Sequence, residues 1–167
     1  DISHPSKDSI MQTLELSRAP VIASHSSARA LTNHSRNLDD EMLLALKENG
    51  GVVQTVAFGT YVSELRRAHW ASGASFADAP PATVSDFVDH IEYMIDLIGI
   101  EHVGISSDFD GGGGLSGWND ASETFNVTAE LVRRGYNEEQ IAMMWSGNLL
   151  RVLDDVQRIA QEIQNEA

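Results

Sequence analysis

Apolar residues fall in short runs along this chain, and longer stretches with helical spacing separate the runs. Ile10, Met11 and Leu14 recur at helical intervals between Ser6 and Ser17, so a helix capped by Ser6 is predicted there. Pro20-Val21-Ile22-Ala23-Ser24-His25 reads as a buried strand that ends in polar residues. Asp39 caps a second helix carrying Met42, Leu43 and Leu46. Asn49-Gly50-Gly51 stops it, because glycine accepts the left-handed conformation that follows a helix end. Gly51 to Phe58, with Val52, Val53, Val56 and Phe58, is the next strand. The stretch from Gly59 to Pro81 is rich in small residues and long for a connector, so it is expected to be a lid or rim loop.

From Thr83 to Ile98, the residues Val84, Phe87, Val88, Ile91, Ile95 and Ile98 trace one helical face, with His90 on the polar side. His102 to Ser107 is a further strand, broken by Asp108-Phe109-Asp110 and four glycines. Helices are predicted around Ser122 to Arg134, Glu138 to Trp145 and Leu149 to Ile163. Asp1-Ile2-Ser3-His4 reads as the end of one more strand, so the chain is expected to begin in mid-element. That makes about four β/α units with closing helices, in a parallel α/β arrangement. An open sheet and half of a (β/α)₈ barrel both satisfy this pattern. A whole barrel needs about 250 residues.

Composition narrows the chemistry. The 167 residues suit one compact domain, and 42% of them are hydrophobic. No apolar run reaches the roughly 20 residues of a membrane span. A formal net charge of −14 repels phosphate backbones and anionic lipid heads, which argues against nucleic acid and membrane surfaces as partners. With no cysteine, there are neither disulfides nor thiolate metal sites, and the compartment stays open.

The polar residues of interest stand where strands end, the edge at which parallel α/β proteins carry their chemistry. His4, His25 and Asp108 each close an apolar run, and Arg36 follows in the loop after His25. Ends of neighbouring strands lie about 4.8 Å apart, so two imidazoles there can reach one metal ion. The plainer reading is a pair of hydrogen-bonding strand-end histidines. Arg36 has the planar fork that matches a carboxylate, although a loop arginine is more often simply solvated. Asp108 suits an acid/base group or an anchor for an ammonium group, and Asp110 a turn. The run Asp108 to Gly114 opens like a calcium loop, but Gly112 and Asn119 stand where ligands are wanted. It lacks the Lys-Ser/Thr of a phosphate loop as well. His34, His69 and His102 have no ligand-spaced partner in the sequence.

Six blocks carry a family resemblance. They are Asp1 to His4, Pro20 to Arg29, Arg36 to Asp40, Asp89 to Tyr93, His102 to Gly111, and Gly147 to Val152. Their order and spacing resemble the zinc-dependent membrane (renal) dipeptidases, nearly end to end. The stretch from Gly59 to Pro81 matches least, and Ser106, Ser116 and Trp145-Ser146 depart from the family's usual residues. The resemblance implies residues 1–167 form the C-terminal half of a (β/α)₈ barrel, a single partial metallopeptidase domain. It further implies a binuclear zinc centre that activates a bridging water and hydrolyses dipeptides. By position, His4 and His25 correspond to two histidine ligands of one zinc. Arg36 corresponds to the residue holding the substrate carboxylate, and Asp108 to the aspartate that contacts substrate and moves a proton. The family's remaining ligands have no counterpart here. A second piece is therefore expected to complete the barrel, and this segment alone is expected to be inactive with exposed sheet edges. A homodimer stays open, as do a non-catalytic half-barrel and a metal-dependent hydrolase of another amide or lactone.

Overall fold

The structure is a computed structural model that describes residues 1–166, the Phe76 side chain excepted. Three of the apolar runs pair into one parallel sheet: β1 (Ile22–Ser26), β2 (Val52–Val56) and β3 (Val103–Ser106), in the order β1-β2-β3. All five residues of β2 are buried, as suits a central parallel strand covered on both faces. β2 and β3 stay in register from Val53–Val103 to Val56–Ser106. The β1–β2 register slips between Ala23 and Ser26, where His25 sits. Such an irregularity re-aims a side chain at the end of a strand.

Asp1–His4 is a correction to the four-strand expectation. It runs beside β1, and its Ile2 N–H bonds to Ile22 O at 2.8 Å. Beyond it, Ser24 N–H goes to Asp1 Oδ1 at 3.1 Å and His25 N–H to the Ser3 hydroxyl at 3.0 Å, so side-chain bonding replaces the ladder. Helices α1 (Lys7–Leu16) and α2 (Asp40–Glu48) follow the predicted spans, with Ser6 and Asp39 accepting the cap hydrogen bonds. The stretch from Gly59 is more ordered than a loop: α3 (Gly59–Val62) and α4 (Glu64–Ala71) occupy its first half. Its small residues hid a polar helix, whose buried positions are none.

α5 (Val84–Ile98) is the main buttress. Thr83 and Asp86 form a capping box at its start, and Gly99, with φ of 94°, ends it. Phe87, Ile91, Met94 and Ile98 are fully buried in the core that also holds Ala23, Val53, Val103 and Ile105 of the sheet. Burial is worth roughly 1.5–3 kcal/mol for each such side chain, which outweighs the modest helix propensity of the β-branched residues. His90 is the second correction: it lies on the covered side of α5 and is 1% exposed. α6 (Thr124–Arg133) and α7 (Glu138–Ala142) follow, and a π turn at Met143–Gly147 runs α7 into α8 (Asn148–Glu166). No helix among the described residues is long and apolar enough to cross a membrane.

Candidate functional site

The irregularity in β1 brings His25 to face His4. Their Nε2 atoms are 2.9 Å apart and the ring centroids 4.8 Å apart. Arg36 joins them, with Nη2 3.1 Å from His25 Nε2 and Nε donating to Ser3 O at 3.0 Å. Guanidinium nitrogens only donate, so His25 Nε2 presents its lone pair to the cleft. Its hydrogen therefore sits on Nδ1, which donates to the Ser24 hydroxyl at 2.7 Å. Ser24 in turn donates to Asp1 Oδ2 at 2.5 Å. Burial lowers the His25 pKa, and the charges of Arg36 and His4 push the same way against the opposing pull of Asp108. Burial thus favours the neutral imidazole, whose Nε2 lone pair is turned to the cleft and accepts from Arg36.

Asp108 enters two residues beyond β3 in a left-handed conformation, φ 53° and ψ 32°. Among the described residues it is the one non-glycine with positive φ. Such a residue costs energy and persists where its surroundings enforce it. Here the glycine run does so: the Gly111 and Gly113 N–H groups donate to Asp108 O at 2.9 and 2.7 Å. A Cβ on Gly113 would stand 2.0 Å from Ser107 O, so this wrap admits no side chain. Gly112 rests on Phe58, whose ring lies 4.6 Å from that of Tyr61. Tyr61 stacks on His34 at 4.3 Å and has the Arg36 guanidinium 5.7 Å from its ring centre.

Two neighbours were invisible to spacing. His34 Nδ1 accepts the Arg36 N–H at 3.1 Å, and burial followed by the Arg36 charge lowers its pKa. Tyr61, whose hydroxyl pKa burial raises, forms the aromatic wall beside Arg36. His34 lies in the Arg36 loop itself, whereas Tyr61 is distant in sequence and is brought in by the folding of α3 against that loop. His69 and His102 bond to backbone carbonyls, of Ser75 and Gly51, both at 2.8 Å.

Two nitrogens on one tetrahedral zinc ion stand about 3.3 Å apart, given Zn–N bonds near 2.0–2.1 Å. His4 and His25 come within a few tenths of an ångström of that separation, and the Ser24–Asp1 relay behind His25 is the outer support typical of a metal-binding histidine. The pair fits a metal ion. The described residues hold no group of three or more His, Asp or Glu placed to bind one.

Comparison with known proteins places the chain in a class. The profile of the membrane dipeptidases, Peptidase family M19, matches residues 1–167, and the chain belongs to that family. It is 39% identical to dipeptidase aclJ of Aspergillus oryzae over 98% of its own length and 36% of that protein's. It is 37% identical to dipeptidase 3 of Rattus norvegicus over 97% of its own length and 30% of that protein's. Among solved structures, the probable dipeptidase PvdM from Pseudomonas aeruginosa superposes with a TM-score of 0.85 at 36% identity, covering 95% of this chain and 50% of that one. A metallopeptidase from Rhodobacter sphaeroides, liganded with a phosphinate mimic of the dipeptide L-Ala-D-Ala, superposes at 0.80 with 28% identity, covering 93% and 41%. The chain thus spans about a third of the length of these curated relatives and about half of these solved chains. Its three parallel strands and helices are part of the (β/α)₈ barrel of the family.

Proposed function

We propose that this chain is the part of a zinc-dependent dipeptidase that supplies two metal ligands and the grip on the substrate's carboxylate. The observation that carries the proposal is the meeting of His4 Nε2, His25 Nε2 and Arg36 in one cleft at the strand ends. In this reading His4 and His25 hold one zinc of a binuclear centre. When bound, the metals would lower the pKa of a bridging water and polarise the scissile carbonyl. Arg36 offers two guanidinium nitrogens to the free carboxylate of a dipeptide, and Tyr61 backs the guanidinium. Asp108, on its enforced turn, lies near enough for its charge to act on His25 and Tyr61, and in this reading its carboxylate receives the substrate's ammonium group or a proton.

The remaining ligands then come from residues outside this chain, and residues 1–167 make up one partial barrel domain. Two features support a complementary piece. Among the described residues, β1 has no ladder partner on its outer side apart from the single Ile2 bond. Leu150 and Leu153 on α8 are 55% and 50% exposed, beside an apolar groove of about 430 Å³ shared with Pro20, Val21 and Ile22. In this reading the segment alone does not hydrolyse dipeptides. A metal-dependent hydrolase of another amide has one supporting observation, a TM-score of 0.78 at 25% identity with an amidohydrolase from Pseudomonas aeruginosa.

The test is a comparison of a dipeptide with its C-terminal carboxamide, using the complete zinc-loaded protein and its Arg36→Ala variant. The proposal expects Arg36→Ala to abolish the preference for the free carboxylate, a loss on the order of 10²-fold for a bidentate charged contact. Full activity of Arg36→Ala on dipeptides refutes the role of Arg36. Failure of His25→Ala to lower zinc affinity refutes the metal assignment.

A further inference from the structure

Arg36 sits on a segment, residues 27–38, that is neither helix nor regular strand. Its base is closed by a short bridge, Leu38 N–H to Ser27 O at 2.9 Å and Arg29 N–H to Leu38 O at 2.8 Å. Its middle is held by Asn37, fully buried, whose amide nitrogen donates to Thr32 O at 2.9 Å and Tyr61 O at 2.8 Å. One more support comes from outside the segment. His90 of α5 accepts the Ala28 N–H at Nδ1, 3.1 Å away, and its Nε2 faces Thr32 Oγ1 at 3.3 Å. A backbone N–H can only donate, so Nδ1 keeps its lone pair and Nε2 carries the hydrogen. The ring is therefore locked in one tautomer and one orientation, with Nδ1 spent on the segment that carries Arg36 and Nε2 shared between Thr32 and the Val62 backbone.

We propose that His90 is a positioning residue for carboxylate recognition: by bonding Ala28 N–H and Thr32 Oγ1 it holds segment 27–38 so that Arg36 is presented to the cleft beside His25 and Ser3. The inference rests on the role of Arg36 argued above. His90 touches neither metal ligand nor Arg36 in this structure, so its effect travels through the backbone. An unanchored Ala28 N–H would be a buried donor without a partner, and the segment would shift to find one.

The test uses the complete, zinc-loaded protein and four variants. His90→Leu keeps the bulk and removes both bonds. His90→Asn keeps an acceptor near the Nδ1 position. Thr32→Val removes only the Thr32 contact of Nε2, and Arg36→Ala is the control for the underlying reading. For His90→Leu, KM for the dipeptide should rise about tenfold with kcat within about threefold, the scale of losing one or two hydrogen bonds. KM for the dipeptide carboxamide should stay unchanged. His90→Asn should restore KM to within about threefold of the parent, and Thr32→Val should fall between. Hydrogen exchange supplies a readout independent of activity: Ala28 N–H should lose protection in His90→Leu and keep it in His90→Asn. Equal losses on dipeptide and carboxamide, or an unmoved KM with Ala28 still protected, overturn the proposal. If Arg36→Ala itself fails to change the carboxylate preference, the reading of Arg36 falls and the positioning role falls with it. A failure confined to the His90 variants leaves that reading standing.

Discussion

The same buried histidine makes this protein acid-labile in a measurable way. Burial depresses the His90 pKa from 6.5 to about 4, and the Asp86 and Asp89 carboxylates and a backbone bond to Val62 only partly offset it. The folded form therefore resists a proton that the unfolded chain takes up readily. As pH falls through 6.5, the unfolded state binds that proton first, so stability declines until pH reaches about 4 and then levels off. The contribution is fully present above pH 6.5. A gap of about 2.5 pKa units, at 1.36 kcal/mol per unit, corresponds to about 3 kcal/mol in all, with about 2 kcal/mol already lost at pH 5. Because the ring is 1% exposed, solvent screening takes little from this figure. The assay is urea denaturation at pH 7.5, 5 and 4, followed by tryptophan emission, to which Trp118, 2% exposed, contributes a buried indole. The parent should lose about 2–3 kcal/mol more than His90→Asn, which cannot titrate. Taking the difference between the two proteins cancels the other acid-sensitive groups, His25 and His34 among them. Parallel loss in both proteins would refute the reasoning.

Further consequences are open to direct measurement. Gly113→Ala should displace the Asp108 turn, since its new carbon would meet Ser107 O at 2.0 Å, backbone that cannot yield like a side chain. Activity of the complete protein should fall on the order of 10²-fold while circular dichroism stays native, because a misplacement of about 1 Å is enough. Ser24→Ala should weaken metal binding roughly 10- to 100-fold by removing the relay behind His25, read by competition with a chelating dye. Asn148→Ala should cost about 2–3 kcal/mol in urea denaturation, since it leaves the Ile100 and Val103 carbonyls, bonded at 2.7 and 2.8 Å, without their donor. Arg134→Gln should destabilise by about 2 kcal/mol, less at high salt, by freeing the crowded carboxylates of Asp89, Glu92 and Glu130.

Much of the architecture was legible because periodicity and caps agreed. Ser6 and Asp39 each precede a helix by the spacing that their hydrogen bonds then use. The apolar runs at Ile22, Val52 and Val103 became strands because a buried parallel strand needs little besides unbroken hydrophobicity. His90 was misread for a physical reason. Helical spacing tells which face a residue occupies, but the covered face of α5 is wider than its apolar residues, since segment 27–38 packs over one flank. The pairing of His4 with His25 was readable as proximity along neighbouring strands. The Ser24–Asp1 support and the stacking of His34 on Tyr61 were not, because they depend on a local slip in register and on α3, which small residues concealed.

The position of α8 bears on how the chain is made. Arg151 reaches back to Gly50 O at 2.9 Å and Glu101 O at 3.1 Å, and Asn148 to Ile100 O and Val103 O. Arg18 forms a bidentate pair with Glu166, both contacts at 2.7 Å, spanning 148 positions of sequence. The carbonyls that enter β2 and β3 thus wait for donors made well after the strands themselves. During synthesis, the sheet has its strands long before it has the helix that braces their lower ends, and a nascent chain stalled before residue 148 should present an unfinished, chaperone-prone surface. Contacts of such long sequence separation also slow folding. Docking of α8, more than formation of any strand, is then the step that closes the lower edge of this sheet.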